Sequence, residues 1–295
     1  MRLHTLTGPV ASLAIPILVT ACMNSPEVSK QQLADSTSMR SEPVSMSIAL
    51  QGHLKQYVLT QRTMFYSDFT YDSKGRQATV WTYNQRSGEG KDETPQTVFT
   101  YDDQNRLVKV EEGDFSVNSS TGALVASSII RRCELSYNGL TVTAKATLLP
   151  ASTGNNVETL YDLDKAGHII KQTQRFADGT KNEKVYLYLN DNVVQQDMTV
   201  TNGAGAITSR TRDKYEYDSS PNPLRGLISQ GGLVNVQTYL SKNNVVKVVS
   251  ENLSTTDASV VLSSTGSTYQ YSFTNGGLPA SYQAGTIQGL FVYDQ

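Results

Sequence analysis

Cys133 and His168 are the residues of this sequence best suited to nucleophilic chemistry. A thiol with an imidazole as its general base would be the simplest catalytic pair that the chain could form. Cys133, however, lies in an alternating segment that places it on the same face as Leu135, where a small buried residue is expected. His168 follows a turn. The sequence therefore favours structural roles for both residues, and we predict no catalytic residues.

Carboxylates are a second source of chemistry, because a glycoside hydrolase needs two acids on either side of one bond. Asp102 and Asp103 share a turn, and Glu111 and Glu112 point to opposite faces of one strand, so neither pair converges. Two acids from distant parts of the chain could still meet. A carbohydrate-active hydrolase with a non-local carboxylate pair therefore stays an alternative.

One segment resembles part of a calcium-binding loop. Asp162, Asp164 and Gly167 occupy its first, third and sixth positions. Ala166 fills a ligand position, and Thr173 stands where a bidentate Glu belongs. We predict no metal site and no cofactor.

The most regular feature is a phrase of an aromatic residue or leucine, any residue, Tyr, and then Asp or Asn. Tyr, Phe, Val and Thr favour strands, and Asp or Asn opens a turn by bonding its own backbone. Each copy therefore predicts a β-hairpin. The clearest copies are Phe69-Thr70-Tyr71-Asp72, Trp81-Thr82-Tyr83-Asn84, Phe99-Thr100-Tyr101-Asp102, Leu135-Ser136-Tyr137-Asn138, Tyr215-Glu216-Tyr217-Asp218 and Phe291-Val292-Tyr293-Asp294.

Such a chain of hairpins predicts an all-β fold. About eight or nine hairpins give a long antiparallel β-meander of roughly 14–18 strands. Twist accumulates along such a sheet and an open edge exposes unpaired backbone, so we expect it to curl into a barrel-like or half-barrel sheet.

The rings of this phrase are the candidate ligand-binding residues. Residues two apart share a face of a strand, so neighbouring hairpins could align their rings in rows that stack on sugars. The other interpretation, which the sequence favours, is that the rings fill the interior of the sheet. The candidate stacking residues are Trp81, Tyr83, Tyr71, Tyr101 and Tyr217.

Charge argues against a nucleic-acid partner. The 295 residues include 25 Lys and Arg against 27 Asp and Glu, a formal net charge of −2. A nucleic-acid-binding domain typically carries a basic surface. We therefore expect no nucleic acid among the partners.

The N-terminus carries targeting signals. An apolar stretch from Val10 to Val19 is too short to span a bilayer, which needs about twenty residues, and is typical of a signal peptide. Val19-Thr20-Ala21-Cys22 resembles the bacterial lipobox, which implies acylation of Cys22 after removal of residues 1–21. Residues 22–47 are rich in Ser, Gln and Thr and predict a flexible tether, and residues 48–295 predict a single β-meander domain.

Two family resemblances rest on these motifs. The Tyr-Asp phrase, followed by Gly-Arg or Asn-Arg, is similar to the YD repeats of large bacterial Rhs-type shells. The lipobox, the hairpins and the Tyr-x-Tyr-Asp-x-x-x-Asn-Pro-Leu segment at 215–224 resemble more closely a family of uncharacterised Bacteroidetes lipoproteins with a porin-like β-fold. This resemblance implies a fold and an envelope location, and it implies no activity.

The sequence thus leaves three functional hypotheses. The first is a non-catalytic binding or structural module of the cell envelope, anchored in the bilayer through acylated Cys22 and binding a glycan or an envelope protein. The others are the hydrolase and a small outer-membrane β-barrel. The expected location is the outer membrane, on either its periplasmic or its outer face. A spanning strand needs an apolar face, whereas Ile169 to Phe176 is polar on both faces.

Overall fold

The computed structural model of the chain describes residues 54–60, 64–85, 91–92, 95–121, 124–149, 157–227 and 240–294. The predicted signal peptide, the tether and Cys22 lie outside the described residues. No helix in the described part is long and apolar enough to cross a membrane.

Eighteen β-strands account for the regular structure of the described residues, which confirms the all-β prediction. The first nine strands are β1 Leu54–Thr60, β2 Met64–Tyr71, β3 Gln77–Gln85, β4 Lys91–Asp92, β5 Gln96–Tyr101, β6 Leu107–Val117, β7 Leu124–Asn138, β8 Thr141–Leu148 and β9 Val157–Leu163. The second nine are β10 Ile169–Arg175, β11 Lys181–Leu189, β12 Asn192–Thr201, β13 Ile207–Pro221, β14 Asn243–Leu253, β15 Val261–Thr268, β16 Gln270–Phe273, β17 Pro279–Ala284 and β18 Ile287–Tyr293.

These strands form one antiparallel sheet that is nearly closed into a barrel. Strands adjacent in sequence pair with each other, except that β4 and β5 both pair with β3, and β1 also pairs with β18. β15 and β16 are one run interrupted at Tyr269, so that β15 pairs with β14 and β16 pairs with β17. The Tyr269 N–H donates to the Val246 carbonyl at 2.8 Å and continues the ladder. This arrangement confirms the predicted meander and its curling.

The core lies inside the ring. One buried cluster joins strands that are far apart in the sheet, with Leu54 of β1, Val110 of β6 and Tyr282 of β17 among its members. A second cluster includes Tyr161 and Tyr215 and is built from β8 to β14. Because side chains from non-neighbouring strands can meet only across the interior, the face that carries these clusters is the inward face.

The two ends of the barrel differ. The turns that follow Tyr71, Tyr101 and Tyr217 lie at one end, which we call the tyrosine end, and the alternate turns lie at the opposite end. The segment after β13 folds into the tyrosine end, where Leu224 and Leu227 are 2% and 1% exposed within the first cluster. Aromatic and leucine side chains therefore fill this end.

Candidate functional site

A hydrogen-bonded turn begins at the Asp of the repeated phrase. Asp72 Oδ1 accepts the backbone N–H groups of Lys74 at 2.9 Å and Arg76 at 3.0 Å, and Gly75 supplies a φ of 75°. Asp102 and Asp164 make the equivalent bonds to the residues two and four positions later. A carboxylate oxygen that binds its own downstream backbone defines an Asx turn, so the predicted turn chemistry is present.

The tyrosine at the end of a hairpin donates its hydroxyl to the preceding strand. Its acceptor is the carbonyl of the first or second residue of that strand, which fastens the two strands at the tyrosine end. Leu163 and Phe273 take this position in β9 and β16, and they have no hydroxyl. The six bonds join Tyr71 to Leu54 O at 2.8 Å, Tyr101 to Gln77 O at 3.0 Å, Tyr137 to Leu107 O at 2.8 Å, Tyr188 to Ile169 O at 3.1 Å, Tyr217 to Val193 O at 2.5 Å and Tyr293 to Pro279 O at 2.7 Å.

Three of the five candidate stacking residues therefore lie inward. Tyr71 and Tyr101 pack against the first core cluster and Tyr217 packs against the second. Burial raises the pKa of Tyr101 to about 12, against the opposing charge of Arg76. Burial likewise raises the pKa of Tyr71 and Tyr217. Their rings pack in the core, and their hydroxyls bind the preceding strand.

Trp81 and Tyr83 lie on the outward face, because β3 pairs Val80 with Phe69 on the inward face. Tyr66 stands directly opposite Tyr83 on β2. We call Tyr66, Trp81 and Tyr83 the outer aromatic plate. The five candidates are thus divided between two faces of the sheet.

The outer aromatic plate is a closely packed cluster of three rings, in which the Trp81 plane is inclined by 46° to that of Tyr83. The rings of Tyr66 and Tyr83 are stacked, with centroids 5.1 Å apart and planes inclined by 6°. The Trp81 ring lies 4.9 Å from Tyr83. Tyr83 is only 4% exposed, whereas Tyr66 and Trp81 are half-buried. Tyr66 lies outside the repeated phrase, and the strand register is the signal that would have identified it.

A carboxylate and an amide adjoin the plate. Asp68 Oδ1 accepts a hydrogen bond from Gln56 Nε2 at 2.6 Å, and the same Nε2 donates to the Tyr83 hydroxyl at 3.4 Å. Burial raises the pKa of Tyr83, and the negative charge of Asp68 raises it further. The plate therefore combines ring faces with a fixed acceptor and donor.

Ion pairs recur on the rest of the outward face, which also carries exposed apolar side chains such as Leu187, Leu189 and Val292. The nitrogen–oxygen distances lie between 2.6 and 3.3 Å in the closest ion pairs. Lys109–Glu111 lies within β6, and the other pairs connect β6 with β7, β9 with β10, β10 with β11, β12 with β13 and β13 with β14. These other pairs are Glu111–Arg132, Glu158–Arg175, Lys171–Glu183, Asp197–Arg212, Lys214–Glu251 and Glu216–Lys247.

Cys133 and His168 occupy separate surroundings. Cys133 lies on the inward face with Leu135, as the alternation predicted, and it contacts both core clusters. Burial raises the pKa of its thiol to about 11, which opposes a nucleophilic thiolate. His168 Nδ1 lies 2.9 Å from Asp164 Oδ2, and its ring stacks on Tyr188 with centroids 4.7 Å apart. Both side chains are engaged in packing and turn contacts.

The predicted acids are also engaged in local contacts. Glu111 points outward to Arg132, and Glu112 points inward to Arg131 on the next strand, so the two carboxylates lie on opposite faces as expected. Both carboxylate oxygens of Asp164 make hydrogen bonds within the turn that ends at His168. Within the described residues, no group of three or more His, Cys, Asp or Glu is arranged to hold a metal ion.

Comparison with known proteins gives solved structures of similar fold but no sequence relatives. No protein-family model and no curated protein sequence matches the chain. The fold is similar to a porin-like protein from Bacteroides vulgatus ATCC 8482, with 9% identity over 83% of this chain and 99% of that one and a TM-score of 0.41. It is also similar to a porin-like protein from Bacteroides uniformis ATCC 8492, with 13% identity over 82% and 96% of the two chains and a TM-score of 0.47. Both are called porin-like, the fold that the sequence resemblance implied, while the lipoprotein family and the YD repeats stay predictions.

Proposed function

We propose that the chain is a cell-envelope lipoprotein whose barrel is a non-catalytic glycan-binding module, held on a tether from acylated Cys22. The observation that carries the proposal is the outer aromatic plate, a cluster of three rings on the outward face. In this arrangement the outer membrane carries the lipid anchor and the barrel stands in water beside it.

The geometry of the plate suits a sugar ring. The apolar face of a pyranose stacks on tyrosine and tryptophan rings, which lose little side-chain entropy on binding. The half-buried Tyr66 and Trp81 rings supply the accessible aromatic surface, and the buried Tyr83 ring packs against both. Asp68 and Gln56 lie beside it, where they can accept from and donate to sugar hydroxyls.

The ion pairs on the outward face support a water-exposed barrel. Lys171, Arg212 and Lys214 each pair with an outward carboxylate in the central part of the sheet. A Lys or Arg facing lipid costs about 2–4 kcal/mol at the bilayer midplane. Several such residues on adjacent strands would together oppose insertion.

Titration of Trp81 fluorescence with envelope and host polysaccharides tests the proposal, since Trp81 is the only tryptophan in the chain. We expect a bound glycan to change the emission, and Tyr66→Ala to weaken that response. Phe273→Ala is the matched control, because Phe273 is 45% exposed and lies outside the plate. A response that survives Tyr66→Ala unchanged in a folded protein would rule out the plate as the glycan site.

A small outer-membrane barrel is the second candidate. The nearly closed ring of strands and the polar side chains on part of its inward face favour it, because a pore needs both. Conductance of the reconstituted full chain across a planar bilayer tests it. Stable channel currents would support the pore, and their absence in a protein that remains folded would support the water-exposed module.

A further inference from the structure

The inward face changes character along the barrel. Near the tyrosine end β11 presents Tyr186 and Tyr188, which belong to or pack on the second core cluster. Two residues further from that end, the same face of β11 carries Lys184. On β13, Asp213 likewise lies two residues further from that end than Tyr215, on the same face. An aromatic layer therefore gives way to a polar layer inside the barrel.

Asp213 is held in place by neutral donors. Ser250 Oγ donates to its Oδ1 at 2.6 Å, while Gln196 Nε2 and the Tyr215 hydroxyl donate to its Oδ2 at 3.1 and 3.3 Å. These three residues come from β14, β12 and β13. The carboxylate is thus fixed without an ion pair to any described residue.

Gln172 is a second fixed polar group in this layer. Its side-chain oxygen accepts a hydrogen bond from the Tyr186 hydroxyl at 2.9 Å, and its residue exposure is 5%. This bond orients the amide, so that the NH₂ group points away from Tyr186. Gln172 pairs directly with Lys184 across β10 and β11, which places the two side chains next to each other.

The Lys184 ammonium makes no hydrogen bond or ion pair with any residue that the structure describes, although Asp213 acts on it electrostatically. Lysines on the outward face differ, since Lys171 of the neighbouring strand pairs with Glu183 at 3.1 Å. Burial lowers the pKa of Lys184, partly countered by the Asp213 charge. A half-buried cation without a partner is unfavourable, so this position gains from an anion.

The inward face continues from the polar layer toward the end opposite the tyrosines. The inward residues between Lys184 and that end include Asn182, Gln174, Val200 and Ser209, and all four are half-exposed. The turns at 176–180 and 202–206 form the rim there, and most of their residues are exposed. Partly exposed side chains, most of them polar, therefore line the inward face between Lys184 and that end.

We propose that this layer, the Lys184 layer, binds a small hydroxylated carboxylate of the uronic-acid type inside the barrel. The ligand carboxylate pairs with Lys184, and its hydroxyls donate to Asp213 and accept from the amide of Gln172. This site is separate from the outer aromatic plate, and neither site depends on the other.

Binding of D-glucuronate and of D-glucose to the full chain, measured by calorimetry, tests the site. The two sugars differ in the carboxylate, so we expect glucuronate to bind more tightly. Lys184→Met should weaken the affinity for glucuronate by about tenfold or more, the loss expected for one hydrogen bond to a charged group. Lys171→Met is the matched control and should leave the affinity unchanged, because Lys171 lies on the outward face and pairs with Glu183.

A second measurement uses the unmodified chain, so that it does not depend on any variant folding. Acetylation of lysines by an amine-reactive reagent, mapped by mass spectrometry, should slow at Lys184 when glucuronate is added, and should not change at Lys171. Equal binding of both sugars, no binding of either at millimolar concentration, or no protection of Lys184 would each overturn the proposal.

Discussion

The guanidinium of Arg76 lies 4.4 Å from the ring centroid of Tyr101, so that the turn of one hairpin is fixed against the tyrosine of the next. The same guanidinium binds Asp72 through Nε at 2.7 Å and through a second nitrogen at 2.6 Å. Arg106 over Tyr137 repeats the contact at 4.7 Å. The Tyr-Asp-x-x-x-Arg phrase therefore sets the register within a hairpin and also between hairpins.

Replacing Arg76 should destabilise the barrel. Arg76→Ala removes the cation–π contact and the paired hydrogen bonds to Asp72, and partial exposure reduces the value of both, so we expect a loss of about 1 kcal/mol in the free energy of unfolding. Urea denaturation measures it. Arg76→Lys should recover only part of the loss, because an ammonium cannot bind the carboxylate through two nitrogens. Full recovery with Lys would show that charge alone matters.

The hydroxyl of Tyr101 should contribute to stability on its own. Tyr101→Phe keeps the buried ring and removes the bond to Gln77 O, which leaves a carbonyl without that donor, and we expect a loss of about 1 kcal/mol. The control is Tyr66→Phe, whose hydroxyl contacts only the sulfur of Met64. Equal effects of the two substitutions in thermal unfolding would contradict a specific role for the inward hydroxyl.

The Asx turns should make the barrel sensitive to acid. Burial acts to raise the pKa of Asp72, but hydrogen bonds from the side chain and backbone of Arg76 outweigh it and hold that pKa below 3.8. Asp102 has the same balance with Arg106. A carboxyl whose pKa is lower in the folded state stabilises the fold above its unfolded pKa, and this contribution disappears as the pH falls through the folded value.

Asp72→Asn should therefore flatten the pH dependence below about pH 4, because it keeps a turn-forming oxygen and removes the titrating group. Chemical denaturation at a series of pH values measures this. An unchanged slope between pH 4 and 2 would show that Asp72 carries no linked proton.

The sequence predicted the strands, the turns and the closure of the sheet because hairpin signals are local. Tyr-Asp followed by Gly or Asn encodes a strand end and a turn within a few residues, as at Tyr71 to Gly75. The sequence did not predict on which face of the sheet each ring lies. Trp81-Thr82-Tyr83-Asn84 matches the phrase of β2, but it ends β3 at the opposite end of the barrel and on the opposite face.

The sequence also could not predict which side chains the strand register brings together inside the barrel. Lys184, Gln172 and Asp213 are distant in sequence, and they meet only because β10 to β13 pair in one alignment. A shift of one residue would exchange inward and outward side chains on every strand. The residues around each of these side chains in the sequence do not indicate which partner it meets.

Gly289 should be the least tolerant glycine of the last hairpin. Tyr282 pairs with it across β17 and β18, and a Cβ at position 289 would lie 2.0 Å from the Tyr282 ring. Gly289→Ala must displace that ring, whose hydroxyl bonds Tyr57 at 2.6 Å, and should cost about 1–3 kcal/mol. Gly266→Ala is the control, because a Cβ there meets only the Val248 carbonyl oxygen at 3.7 Å. Comparable midpoints for the two variants would contradict this packing.

The surroundings of Trp81 decide whether the outward face of the barrel meets water. The full chain would be reconstituted in vesicles, and its emission quenched separately by aqueous iodide and by lipids brominated along their acyl chains. Trp81 lies on the outward face and is the only tryptophan in the chain, so the signal reports that face alone. We predict quenching by iodide and none by the brominated lipids. Strong quenching by the brominated lipids, with protection from iodide, would place the outward face in the bilayer and contradict the account.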